Sequence, residues 1–335
     1  MMEAKIKAVS YYLPAKTLTN EELAIEFPDW SAEKIVRKLG ITSRHIAGSD
    51  EFVSDLAVNA AESLFHESSI DRASVDFIIL CTQSPDYFLP TTACIVQDRL
   101  GIPRTAGAID INQGCSGFIY GLALAKGLVA TGISKNVLLI TTEIYSKHIH
   151  FSDKGNRAIF GDAAAAVVVS QTGFATIGEF DFGTDGSGAE NLIVKNGAMR
   201  RERQSSAHNV VMDDYLFMDG SAIFNFTLAN VPALVQQTLN KNNVTLEGVH
   251  YFVFHQANQF ILQHLRKKIG ISEERFLTFM QSCGNTVSST IPIVLKEYLR
   301  LGAFKRNDQV LLAGFGVGYS WGATMITFTN EIGSN

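Results

Sequence analysis

Apolar residues along the chain fall into short runs that repeat in two series. In the first half, VDFIILCTQSP (75–85), AGAIDINQGCSG (106–117) and KNVLLITTE (135–143) each end in a polar or glycine-containing stretch, and AAAAVVV (163–169) follows. In the second half the series is VHYFVFHQAN (249–258), RFLTFMQSCGNT (275–286), DQVLLAGFGVG (308–318) and GATMITF (322–328). Runs of this length without polar alternation read as strands buried on both faces, with helices between them. The repetition predicts two related α/β halves that divide near Gly173, at 1–172 and 173–335. Two helices are also legible. Thr19-Asn20-Glu21-Glu22 has the form of a capping box. Residues 116–130, SGFIYGLALAKGLVA, are apolar on nearly every face, the pattern of a buried helix that starts just after a strand.

With 335 residues and 46% hydrophobic content, the chain can bury a large core. A net charge of -5 gives no basic field for nucleic acid. No stretch of eighteen or more apolar residues predicts a membrane span, and the N-terminus lacks the layout of a signal peptide. Cys81, Cys94, Cys115 and Cys283 show neither CxxC pairing nor metal-ligand spacing, which reads as reduced thiols in a cytoplasmic protein without a metal centre.

Three strand ends carry candidate chemistry. Cys115 lies in Gln-Gly-Cys-Ser-Gly, where glycines allow a tight turn and the following helix offers unpaired N–H groups and a positive dipole end. That setting predicts a lowered thiol pKa and a nucleophile, although the same residue alone reads equally as a small buried hydrophobe. His255 closes Tyr251-Phe252-Val253-Phe254, and Asn285 sits in Cys-Gly-Asn-Thr. Each could donate a hydrogen bond to a carbonyl oxygen; each also has an ordinary reading, as a core histidine and a turn residue. A Cys/His/Asn set offers one nucleophile and two oxyanion donors. Gly-Phe-Gly-Val-Gly at 314–318 has neither dinucleotide nor P-loop spacing, and its use would be to bring a backbone N–H beside Cys115. His148 and His150 read as a polar loop.

Together these stretches resemble the β-ketoacyl-acyl-carrier-protein synthase III family of the thiolase superfamily. The resemblance runs from Lys5 to Phe328. It rests on Gly40-Ile41 with Arg44-His45-Ile46, Pro90-Thr91-Thr92-Ala93, Gly114-Cys115-Ser116-Gly117-Phe118, Ile159-Phe160-Gly161-Asp162, His255-Gln256-Ala257-Asn258, Gly284-Asn285-Thr286, Gly316–Gly318 and Trp321-Gly322. It implies a five-layered αβαβα fold of two pseudo-symmetric halves, a homodimer, and no permanently bound cofactor. It implies that acyl-CoA loads Cys115, with the N–H groups of Cys115 and Val317 as oxyanion hole. Malonyl-acyl carrier protein then loses CO₂ while His255 and Asn285 hold its thioester oxygen, and the carbanion attacks the acyl-Cys to start a fatty-acid or related chain.

The match is uneven at its periphery. The tryptophan that the family places six residues before the Gly-Ile pair is replaced by Lys34, with Trp30 ten residues before Gly40; these two are the candidates for CoA contact. Gln259 and Phe260 stand where a family arginine docks the carrier protein. Arg266-Lys267-Lys268 is the candidate docking run, and reads equally as a solvated helix face; Arg200-Arg201-Arg203 is a second basic cluster. Leu89 matches a position that closes the acyl pocket of the partner subunit. Two other readings stand beside condensation: an acyltransferase passing its group from Cys115 to an alcohol or amine, and a silent partner subunit, against which the intact Cys115, His255 and Asn285 argue.

Overall fold

The computed structural model describes residues 2–206 and 209–329. Ten strands carry the architecture: β1 (Lys5–Tyr12), β2 (Phe77–Cys81), β3 (Gly107–Ile111), β4 (Asn136–Glu143), β5 (Ala163–Ser170), β6 (Ala175–Thr184), β7 (Tyr251–Phe254), β8 (Phe276–Leu277), β9 (Gln309–Gly316) and β10 (Ser320–Phe328). The principal helices are α1 (Val53–Ser68), α2 (Thr92–Arg99), α3 (Gly117–Ala130), α4 (Gly220–Lys241), α5 (Gln259–Ile269) and α6 (Thr290–Arg300). Each half therefore runs β-α-β-α-β-α-β-β. The strand order is β3-β2-β4-β5-β1 in one half and β8-β7-β9-β10-β6 in the other, the same permutation twice. The halves join edge to edge where Lys5 and Ile6 pair with Thr176 and Ala175. All eight apolar runs are strands; β1 and β6, whose apolar runs are broken by polar residues, complete the two sets.

Side-chain alternation along the strands assigns the layers. On β4, Leu138 and Ile140 pack outward with Leu56, Ala60 and Leu64 of α1 and Val96 of α2. Val137 and Leu139, one residue out of phase, point to the opposite face and meet Phe118 and Leu122 of α3. On β9, Val310 and Leu312 belong to that same central cluster, with Ile291 and Val294 of α6, whereas Leu311 and Ala313 pack with Leu234 of α4 and Leu262 of α5. The result is helix, sheet, helix, sheet, helix, with α3 and α6 enclosed between the two sheets. Burial on both faces explains the continuous apolar runs, and each fully buried Leu or Ile stabilises by roughly 1.5–3 kcal/mol. The capping box forms at Thr19, whose Oγ accepts from Glu22 N–H at 3.2 Å while Thr19 N–H donates to the Glu22 carboxylate at 2.7 Å.

Candidate active site

β3 ends at Ile111, and the chain turns into α3 with Gly117 N–H donating to Gly114 O at 2.7 Å. Cys115 is held at that turn, 5% exposed. The lowered pKa expected from a helix N-terminus is not what the surroundings produce. Burial pushes the Cys115 thiol up to about 12, with Glu143 adding to the rise, although the backbone N–H of Val317 beside the sulfur opposes it. A helix end is worth about 0.3–1 kcal/mol to a nearby charge, whereas desolvating a thiolate costs several, so burial wins. Cys115 rests as a thiol.

The glycine run at the end of β9 is explained by contact with this residue. A Cβ on Gly316 would lie 2.7 Å from both Cβ and Sγ of Cys115, and one on Gly314 would lie 2.9 Å from Cys115 O. Only glycine lets the strand end lie that close, and this closeness brings the backbone of Val317 beside the sulfur. On the other side, Gly114 lies under Gln83 and Val317, whose side chains a Cβ would strike.

His255 follows β7, and its N–H extends the ladder to Ala313 O at 2.8 Å. Its ring meets Phe315 edge-on, at 5.8 Å between centroids, and Nδ1 lies 2.8 Å from Thr290 Oγ1. Burial lowers its pKa to about 3, so the ring is neutral near neutral pH. Asn285 crosses between the halves: its N–H donates to Ile159 O at 2.9 Å, and Gly161 N–H donates to its carbonyl at 3.0 Å. Asn285 Oδ1 accepts from Val287 N–H at 2.9 Å, which leaves Nδ2 as the free end of the amide. β9 thus touches both Cys115 and His255, and close polar contacts through Val287 and Thr290 link His255 to Asn285.

Several residues at the site carry no signal strong enough to be singled out in the sequence. Tyr145, buried beside Phe160, donates its hydroxyl to Gln83 Oε1 at 2.6 Å, and Gln83 Nε2 donates to Asn112 Oδ1 at 3.2 Å. Glu143, fully buried, accepts from Gln83 N–H and from Ser84 Oγ at 2.8 Å. A carboxylate closing the apolar run KNVLLITTE was the available clue to Glu143; Gln83 and Tyr145 had none.

The peripheral candidates land away from this centre. Trp30 packs with Leu23, Ile35 and Phe27, and Lys34 donates to Asp29 O at 3.3 Å. Leu89 is 83% exposed and sits beside exposed Tyr87 and Phe88. Arg266 bonds to Ile271 O at 3.1 Å and to Glu273, and exposed Lys268 donates to Leu228 O at 2.9 Å, so Lys267 is the exposed member of the run with no hydrogen bond among the described residues. Arg200, Arg201 and Arg203 are exposed. His148 lies in a 3-10 turn, half-buried.

A family model described as 3-oxoacyl-[acyl-carrier-protein] synthase III matches residues 109–186, and its C-terminal counterpart matches 239–328. A β-ketoacyl-[acyl-carrier-protein] synthase III of Clostridium perfringens is 37% identical over 333 residues, covering 97% of this chain and 99% of the relative. The chain belongs to the 3-oxoacyl-acyl-carrier-protein synthase III family. One of Lactococcus lactis is 36% identical over 97% of this chain and 99% of its own. A crystal structure of a 3-oxoacyl-(acyl-carrier-protein) synthase III superposes with a TM-score of 0.93 at 46% identity, covering 97% of this chain and all of the other. The synthase III of Thermus thermophilus gives 0.88 at 34% identity, covering 97% and 99%. The five-layered arrangement is thus that of the synthase III fold. Among the described residues no helix is long and apolar enough to cross a membrane, and no group of three or more His, Cys, Asp or Glu could hold a metal ion.

Proposed function

We propose that this chain condenses an acyl-CoA with malonyl-acyl carrier protein, with loss of CO₂, to give the β-ketoacyl thioester that begins a fatty-acid or related chain. The observation that carries this reading is the hydrogen bonding of the two donors: Asn285 Oδ1 is occupied by Val287 N–H, and His255 Nδ1 by Thr290, leaving Nδ2 and Nε2 for a ligand.

In the first step Cys115 Sγ bonds to the acyl carbon, the carbon–sulfur bond to CoA breaks, and the thiol proton ends on CoA. The N–H groups of Cys115 and Val317 receive the tetrahedral oxyanion. In the second step the carbon–carbon bond to the malonyl carboxylate breaks. Its electron pair forms an enolate whose oxygen is held by His255 and Asn285. A buried site favours this step, because it disfavours the localised charge of the carboxylate while that charge passes to an enolate oxygen met by two donors. The enolate carbon then attacks the acyl-Cys carbonyl, the carbon–sulfur bond to Cys115 breaks, and the departing thiolate takes a proton from solvent to restore the thiol, with no cofactor consumed.

Exposed Tyr87, Phe88 and Leu89, with half-exposed Ile109 on edge strand β3, support a homodimer in which Leu89 enters the partner's acyl pocket. Trp30 and Lys34 are assigned to the CoA entrance, and Arg266, Lys267 and Lys268 to the carrier side, with Lys267 the contact. The repeated strand order supports units of 1–172 and 173–335, of which residues 1, 207, 208 and 330–335 lie outside the described residues. The test is to add acyl-CoA and then malonyl-carrier protein, following the mass on Cys115 and the release of CO₂. A mass gain followed by CO₂ is expected. Acylation without CO₂ release overturns condensation in favour of acyl transfer to an alcohol or amine.

A further inference from the structure

Both donors of the decarboxylating half-site are arranged around one backbone residue. Val287 is fully buried and has φ +54°, a left-handed conformation that a β-branched residue rarely adopts. In this conformation its N–H reaches Asn285 Oδ1 at 2.9 Å, and its carbonyl lies 3.1 Å from Thr290 Oγ1. Thr290, 2% exposed and at the start of α6, places the same oxygen 2.8 Å from His255 Nδ1.

We propose that Thr290 is a positioning residue that sets the tautomer of His255, its hydroxyl proton going to Nδ1 so that the neutral ring carries its own proton on Nε2. The inference rests on the condensing reading above. A threonine hydroxyl has one proton, and here two acceptors compete for it. Given to Val287 O, it would require the 2.8 Å contact to be an Nδ1–H donation, and Nε2 would then turn a lone pair toward the thioester oxygen. Given to Nδ1, the shorter contact, it leaves Nε2–H as a donor alongside Asn285 Nδ2. The ring is buried and uncharged, although the Val287 carbonyl beside it opposes the fall in its pKa, so the tautomer rather than the charge decides whether His255 can stabilise an enolate.

The experiment compares wild type, Thr290→Ser and Thr290→Val by three measurements: mass gain on Cys115 from acyl-CoA, CO₂ release from malonyl-carrier protein, and the ¹⁵N spectrum of selectively labelled histidine. Thr290→Ser should keep the Nε2–H signal and nearly the full rate of CO₂ release. Thr290→Val should acylate Cys115 normally, lose the Nε2–H signal, and release CO₂ about 10²-fold more slowly, the scale of one missing oxyanion donor. The proposal is overturned by an Nδ1–H tautomer in wild type, by an unchanged tautomer in Thr290→Val, or by equal losses in both variants. If wild type acylates but releases no CO₂, the condensing reading fails, while the histidine spectra still decide the role of Thr290.

Discussion

β3 and β8 hold the same edge place in their sheets, and β2 matches β7 as β4 matches β9, yet the residues that follow each strand differ between the halves. After β3 comes a thiol at a helix start; after β8 comes an amide, Asn285. After β2 comes Gln83; after β7 comes His255. β4 ends on a buried acid, Glu143, whereas β9 ends on Gly316 and offers only the N–H of Val317. The first half thus carries the bond-making atom and the titratable acid, and the second carries neutral donors. One scaffold repeated twice supplies two kinds of strand end facing each other. The two steps of the reaction should therefore separate, with loss of the first-half nucleophile stopping acylation and loss of the second-half side-chain donors stopping decarboxylation, while the end of β9 serves acylation through its contact with Cys115.

Cys115→Ala should have the largest effect. No acyl adduct should appear by mass spectrometry and no condensation should follow. An adduct in this variant would overturn the assignment of the nucleophile to the first half. Asn285→Ala should leave acylation of Cys115 near the wild-type rate and slow CO₂ release by about 10²–10³. Loss of acylation to the same degree would break the division between halves. Gly316→Ala sharpens it from the other direction, because this second-half residue touches only the nucleophile. Its Cβ would lie 2.7 Å from Cys115 Sγ, so acylation should slow about tenfold, and overpacking should cost about 1–3 kcal/mol in thermal or denaturant unfolding. Unchanged acylation would mean that β9 can retreat without consequence.

These assignments were unequally legible in the sequence. The eight apolar runs identify their strands because burial on both faces removes polar alternation. β1, KIKAVSYY, and β6, ATIGEFDFGT, keep polar residues and carry no such mark. Cys115, His255 and Asn285 stand out because chemistry-bearing residues interrupt glycine-rich strand ends. Gln83, Tyr145 and Thr290 do not, since their place depends on contacts between segments far apart in the chain, such as the 35 residues separating His255 from Thr290. The thiol pKa departs from the expectation set by a helix start for a related reason. A helix start is a local feature visible in sequence, whereas the burial that outweighs it is assembled from the end of β9 and other core residues far along the chain.

The smallest effect is expected from Glu143→Gln, and it reads the one titratable contrast between β4 and β9. Burial raises the Glu143 pKa from an ordinary 4.5 to about 8, with Asp162 adding to the rise; hydrogen bonds from Ser84 and Gln83 oppose it. A group held more protonated in the folded than in the unfolded chain contributes stability that is complete below 4.5 and is lost as pH rises through about 8. Wild type should therefore lose melting temperature across that window. Glu143→Gln keeps the shape but cannot ionise, so its curve should be flatter, even if its absolute stability is lower because one amide N–H now faces groups that donated to a carboxylate. The slope is the informative quantity, not the level. Asp162, raised from 3.8 to about 6, gives a lower window that the variant should retain. A slope that persists unchanged up to pH 8 in Glu143→Gln would show that Glu143 is not the group titrating, and would remove the acid from the contrast between the halves.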